Sequence, residues 1–298
     1  MRSFRKVSFL VLVLVLLFTV AGCNNNETII AEYEGGQVTQ SEFDIYMGLA
    51  NFFEPGLTEY MEQSDEAERK EITKAYLETY IGEQYLAGKV EDDKSLKDKA
   101  DTTLQLIKDQ YTVDLGSEEA YKQNLTDLNI TEDDLHDYLY RYYKAEDYFV
   151  TNRYEEDNKI FSIATVSHIL IANEERTDEE AKNIAEEVLV KLKAGEDFAT
   201  LVTEYSDDPG SKSNGGTYEN MPVALWVEEF MEAAITLPLN EISELVQTDY
   251  GYHIIKVTER SMPTLDEVSP DVRNIIFSEE YSNFMNSELS TIITKINL

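Results

Sequence analysis

The chain has 298 residues, 42% of them hydrophobic, with 59 acidic side chains against 25 basic ones and a formal charge of −34. That charge repels nucleic acid and anionic lipid surfaces. The hydrophobic content excludes wholesale disorder, and the length suits one large domain or two ordinary ones.

At the start of the chain, Arg2, Arg5 and Lys6 precede an almost wholly apolar run from Val7 to Val20, followed by Ala21 and Gly22. A basic start, a short apolar run and small residues before a cut site read as an export signal over residues 1–22. The apolar run is shorter than the roughly 20 residues needed to span a bilayer. Cys23 is the only cysteine, so it has no partner for an internal disulfide. Its place directly after the signal resembles the lipobox of bacterial lipoproteins. The resemblance implies cleavage before Cys23, a diacylglyceryl thioether on its sulfur and acylation of the new N-terminus. Asn24 to Glu27 then reads as a polar tether. Lipid chains of this kind hold a protein at a membrane surface without a spanning helix, which places the protein on the extracytoplasmic face of the cell membrane. Loss of residues 1–22 removes three cations and no acids, so −34 becomes −37. The acidity has two readings, a solvated surface or attraction for basic or unfolded exported clients, and charge alone does not separate them.

Residues 28–160 read mostly as helix. Thr39-Gln40-Ser41-Glu42 is a capping-box pattern ahead of Phe43, Tyr46 and Leu49. A helix is expected over residues 66–87, where Ile72, Tyr76, Leu77, Tyr80 and Ile81 recur at three- and four-residue steps. Thr131 to Asp134 opens another, carrying Leu135, Tyr138, Leu139, Tyr142 and Tyr143. These tyrosine stripes suit packing first and an extended polypeptide second, because tyrosine joins apolar area to one polar handle. His136 falls on the polar side of that helix and reads as a surface residue.

From about residue 161 the pattern changes. Phe161 to Ile171 is rich in β-formers. Thr177 to Glu180 is a further capping box, and Ala181, Ala185, Val188, Leu189 and Leu192 follow on one helix face. Gly195 stands where a helix ends. Residues 197–205 form a short helix, residues 206–216 a loop rich in Asp, Pro, Gly and Ser, residues 228–237 a helix, and residues 250–257 a strand. This order makes a compact α+β unit. Residues 265–296 return to helix. Of the three histidines in the chain, His168 and His253 each lie inside an apolar strand. A histidine buried in a strand needs a hydrogen-bond partner, and these two are candidates to serve each other.

Six segments occur together in order: Val166-Ser167-His168-Ile169-Leu170, Tyr205 to Ser211, Asn214-Gly215-Gly216, Glu229-Phe230 with Ala233-Ala234, Asn240 to Ser243, and Tyr250 to Val257. Jointly they resemble the parvulin (PpiC-type) peptidyl-prolyl isomerases over residues 161–260. The lipobox and the helical flanks resemble the PrsA-like foldase lipoproteins of Gram-positive bacteria. The implied fold is α+β, a small antiparallel sheet surrounded by helices. This parvulin unit would be inserted in a mostly helical, chaperone-like module made by the N-terminal region (23–160) and a C-terminal helix (261–298).

The resemblance also implies roles. His168 and His253 would be the paired histidines beneath the active site, with Asp208 as an acidic group tuning the local field. Tyr250 falls where some relatives carry a small hydroxyl residue. Phe230, Met221 and Trp226 would line the proline pocket. The clients would be unfolded or partly folded exported proteins with X-Pro bonds, and a homodimer is compatible with the family. Isomerisation makes and breaks no bond, so no cofactor and no metal is expected. One departure stands out: the family pattern Asp-Leu-Gly-aromatic is replaced by Thr217 to Met221, with Glu219 expected at a turn position needing positive φ. The rival expectation is a non-enzymatic holdase with a degenerate parvulin unit.

Overall fold

The computed structural model describes residues 27–298. The export signal and Cys23 lie outside the described residues. No described helix is long and apolar enough to cross a membrane.

The N-terminal segment opens with strands, not helix: β1 (Ile29–Tyr33) and β2 (Gly36–Thr39) form an antiparallel hairpin. Helices follow: α1 (Gln40–Phe53), α2 (Leu57–Gln63), α3 (Glu66–Ala87), α4 (Lys94–Leu115), α5 (Glu118–Asp127) and α6 (Glu132–Glu156). Thr39 closes the expected capping box with Glu42, and Thr131 closes one with Asp134 as well. Each box satisfies two amide groups that a helix start leaves unpaired.

The next elements are β3 (Ile163–Ala172), α7 (Asp178–Lys193), α8 (Phe198–Tyr205), β4 (Thr217–Pro222), α9 (Glu228–Thr236), β5 (Val246–Thr248) and β6 (Gly251–Ser261). The four strands form one antiparallel sheet in the order β4-β3-β6-β5. Alternation along the central strands divides the core in two. Ile169, Ile171, Tyr252 and Ile254 face α7 and α8, while Ala164, Val166, Ile255 and Val257 face α9. Ile163 pairs with Ser261 in register, so the unit enters and leaves at one point.

After it come α10 (Pro270–Asn283), a π turn over Phe284–Glu288, α11 (Leu289–Ile292) and β7 (Ile293–Ile296). The expected helix to residue 296 is corrected at its end, where β7 pairs antiparallel with β1. The β-branched run Thr291 to Thr294 favours extended chain once an open edge is beside it. One apolar core contains Ile30, Val38, Phe43, Tyr46, Leu77, Tyr80 and Ile81 together with Phe284, Leu289 and Ile292. The N- and C-terminal segments therefore make one helical module with the sheet unit inserted between them, an α+β architecture. Arg273 on α10 is buried against α6, with Nε 3.3 Å from Glu146 Oε1. Tyr46, Tyr80 and Tyr121 are buried in the module, so packing is what these tyrosines do there. His136 is half-buried, 3.4 Å from Asp101, and far in sequence and fold from the other histidines.

Candidate active site

His168 lies on β3 opposite Ile255 of β6, and His253 lies on β6 opposite Leu170 of β3. These are diagonal positions on the α9 face of the sheet, close enough for ring contact. The Nδ1 atoms are 3.2 Å apart and the ring planes differ by 15°. Both rings are almost fully buried.

A chain of hydrogen bonds runs through them. The Tyr250 amide donates to Thr248 Oγ1 at 3.1 Å, and Thr248 Oγ1 is 2.9 Å from His253 Nε2. At the other end His168 Nε2 is 2.8 Å from Asp208 Oδ2. Burial lowers both histidines, His253 to about 3 with the neighbouring His168 adding to the effect, while Asp208 partly opposes the fall at His168. Both rings are therefore neutral at physiological pH, each with one donor and one acceptor. Asp208 must receive, so His168 Nε2 carries its proton and its Nδ1 accepts. His253 Nδ1–H then donates to it, and His253 Nε2 accepts from the Thr248 hydroxyl. One tautomer pair satisfies every contact.

Asp208 gathers donors. Besides His168, its Oδ2 accepts from the Ser211 hydroxyl and from Tyr218 at 3.0 Å, and its Oδ1 accepts the Gly210 amide at 3.1 Å. Burial raises this carboxyl, but the hydrogen bonds from Ser211, His168 and Gly210 outweigh it and hold it at about 2. Its charge is thus met by neutral donors. Two glycines bring the loops in. Gly216 has φ +79 and Gly251 has φ +132, and a Cβ on either would collide with the carbonyl of His168 or of Ile171.

Above the histidines opens a groove of about 860 Å³. Phe230 stands nearly perpendicular to both imidazoles, with centroids 5.3 Å from each, and Trp226 packs on Phe230 at 5.1 Å. Met221 and Leu225 complete this apolar end. Thus His168, His253, Asp208, Phe230, Met221 and Trp226 all converge on one groove. Tyr250 lines it too, but the residue is 62% exposed on the rim. The hydroxyl that reaches His253 belongs to Thr248, two residues earlier. Thr248, Ser211 and Tyr218 were not anticipated as site residues, since single hydroxyls near a motif carry no spacing signal. The Thr217 to Met221 segment also differs from expectation. Its left-handed residue is Asn220 at φ 51, not Glu219, which is an exposed strand residue. Asparagine adopts that conformation at small cost, so the turn is unstrained and delivers Tyr218 and Met221 into the groove.

Residues 150–261 match the family of the PPIC-type PPIASE domain. A foldase protein PrsA of a Geobacillus species is 30% identical over 257 residues, covering 82% of this chain and 77% of the relative. The chain belongs to the PrsA foldase family. The PrsA foldase of Caldanaerobacter subterraneus subsp. tengcongensis is 27% identical over 301 residues, covering 97% of this chain and 94% of that one. A crystal structure of the peptidylprolyl isomerase PrsA from Bacillus anthracis aligns over 74% of this chain and 99% of its own at 26% identity, with a TM-score of 0.44. Family membership supports a foldase with a peptidyl-prolyl isomerase unit of the parvulin type.

Proposed function

We propose that this protein is a lipid-anchored foldase on the extracytoplasmic face of the cell membrane. It isomerises X-Pro bonds in exported proteins through the unit at residues 161–260. The observation that carries the reading is the continuous chain Thr248–His253–His168–Asp208 beneath a groove with an aromatic end. The signal-like residues 1–22 and the lone Cys23 behind them support the anchor.

An X-Pro bond resists rotation because amide resonance must be lost, at about 18–20 kcal/mol. Catalysis needs no bond chemistry, only an environment that favours the twisted amide over the planar one. The planar amide carries partial negative charge on its oxygen, and that charge shrinks on twisting. Asp208 presents a fixed negative charge beside the groove, which disfavours the planar form electrostatically. His168, His253 and Thr248 hold that charge in place without neutralising it. Tyr250 stands at the rim as a contact for the chain beside the proline. Phe230, Met221 and Trp226 take the proline ring and exclude water, which strengthens the local field. The altered Thr217 to Met221 segment keeps this groove built, which favours an enzyme over a degenerate insert.

A protease-coupled assay on a prolyl peptide tests the reading. The protein lacking residues 1–23 is expected to accelerate the reaction, and His168→Ala to abolish most of that acceleration. A rate equal to buffer for the unaltered protein removes the enzymatic claim and leaves a holdase.

A further inference from the structure

The groove has two chemically different ends. Its apolar end is Met221, Leu225, Trp226 and Phe230. Its opposite rim is acidic. Glu174, Asp207, Asp208 and Asp249 line the groove, and no lysine or arginine lines it among the described residues. Asp207 is already matched, because Arg176 lies 2.6 Å from its Oδ2. Glu174, Asp208 and Asp249 form no ion pair with lysine or arginine among the described residues, and the only charged-type contact of Asp208 is to the neutral His168.

The fold sets Glu174 and Asp249 together. The Asn173 amide donates to the Tyr250 carbonyl at 3.2 Å, and Glu174 and Asp249 are the next residues outward on the two segments. Tyr250, 62% exposed, lines the same rim. An exposed aromatic residue on a rim that also carries two carboxylates without a cationic partner suits a long cationic side chain. Its apolar stem covers the ring while its charge meets the carboxylates in water.

With the proline in the apolar end and the imide above Asp208, the residue beside the proline passes this rim. Resting on the proposed isomerase reading, we infer that the groove selects X-Pro bonds flanked by lysine or arginine and disfavours those flanked by aspartate, glutamate or a phosphorylated side chain. Glu174 and Asp249 set the preference, with Tyr250 as the platform. The acidity of the chain thus has a use at this site beyond solubility.

The test is magnetisation-exchange NMR on three short peptides that differ only in having lysine, alanine or glutamate before proline, with the purified protein. The lysine peptide is expected to exceed the glutamate peptide in kcat/KM by roughly tenfold at low salt, as two or three partly solvated charges allow. In 0.5 M sodium chloride the ratio is expected to shrink to about threefold or less, because screening then acts within a few ångström. In the double variant Glu174→Gln with Asp249→Asn the low-salt ratio is expected to fall in the same way. Equal rates on the three peptides overturn the inference, as does a ratio that the double variant leaves unchanged. No acceleration of any peptide is a different result, which overturns the isomerase reading itself.

Discussion

A neutral imidazole has one donor and one acceptor, so two of them between a hydroxyl and a carboxylate have little freedom. That constraint makes the site pH-sensitive in a definite direction. Burial holds His253 at about 3 and lowers His168 as well, whereas the unfolded chain protonates near 6.5. Between these values the unfolded state binds more protons, so stability is fully present above pH 6.5 and is lost as pH falls toward 3. Asp208 acts in the same sense lower down, since its folded value is about 2 against 3.8. The sheet unit is expected to lose about 2 kcal/mol at pH 5 relative to pH 7 through His253 alone. Urea titrations of the protein and of His253→Asn at both pH values check this. The variant's loss should be smaller by about that amount, and an equal loss in both would remove the neutral-pair account. His168 and His253 were legible in the sequence as histidines inside apolar strands, and Asp208 and Phe230 only through the family resemblance of the segments that hold them. Thr248 and Ser211 were not, because a hydroxyl becomes a site residue only when a loop folds it against a ring.

At the scale of elements, the helices were legible where they carry their own start signals. Thr39 and Thr177 each form the capping box their spacing predicts, and Thr131 starts its expected helix with one too. The strands β1, β2 and β7 were missed. Each is four or five residues long, and β1 finds one of its partners at the far end of the chain, with Ala31 opposite Ile296. No local pattern encodes a pairing across so much sequence. The same long-range closure depends on Arg273, whose guanidinium is buried between Glu146 and Asp147 of α6 at 3.3 Å from each. Removing one partner of a buried pair leaves the other charge uncompensated. Arg273→Met is expected to cost the helical module about 3 kcal/mol, read as a lower denaturation midpoint by circular dichroism. A change below a few tenths of a kcal/mol would show that α10 docks through apolar contacts alone.

For the whole molecule, the insertion is the governing feature. Ile163 and Ser261 are partners across adjacent strands, so their Cα atoms stand about 5 Å apart. A short glycine-serine linker in place of residues 163–261 can therefore join α6 to the C-terminal segment without strain. The shortened protein is expected to stay folded, with cooperative unfolding, and to retain any suppression of client aggregation while losing all isomerase activity. A molten remainder would show instead that the module depends on the insert, through Ala224, which packs against the junction of Val150, Phe161, Val268 and Val272. On the proposed reading the labour is divided: the helical module would hold a client while the histidine-floored groove turns its X-Pro bonds. The most direct test of that claim is the cis–trans exchange rate of an uncharged X-Pro peptide with the purified protein and with Asp208→Asn. The account predicts exchange well above the protein-free rate, cut at least tenfold when the carboxylate is replaced. Exchange at the protein-free rate from a fully folded protein would contradict it.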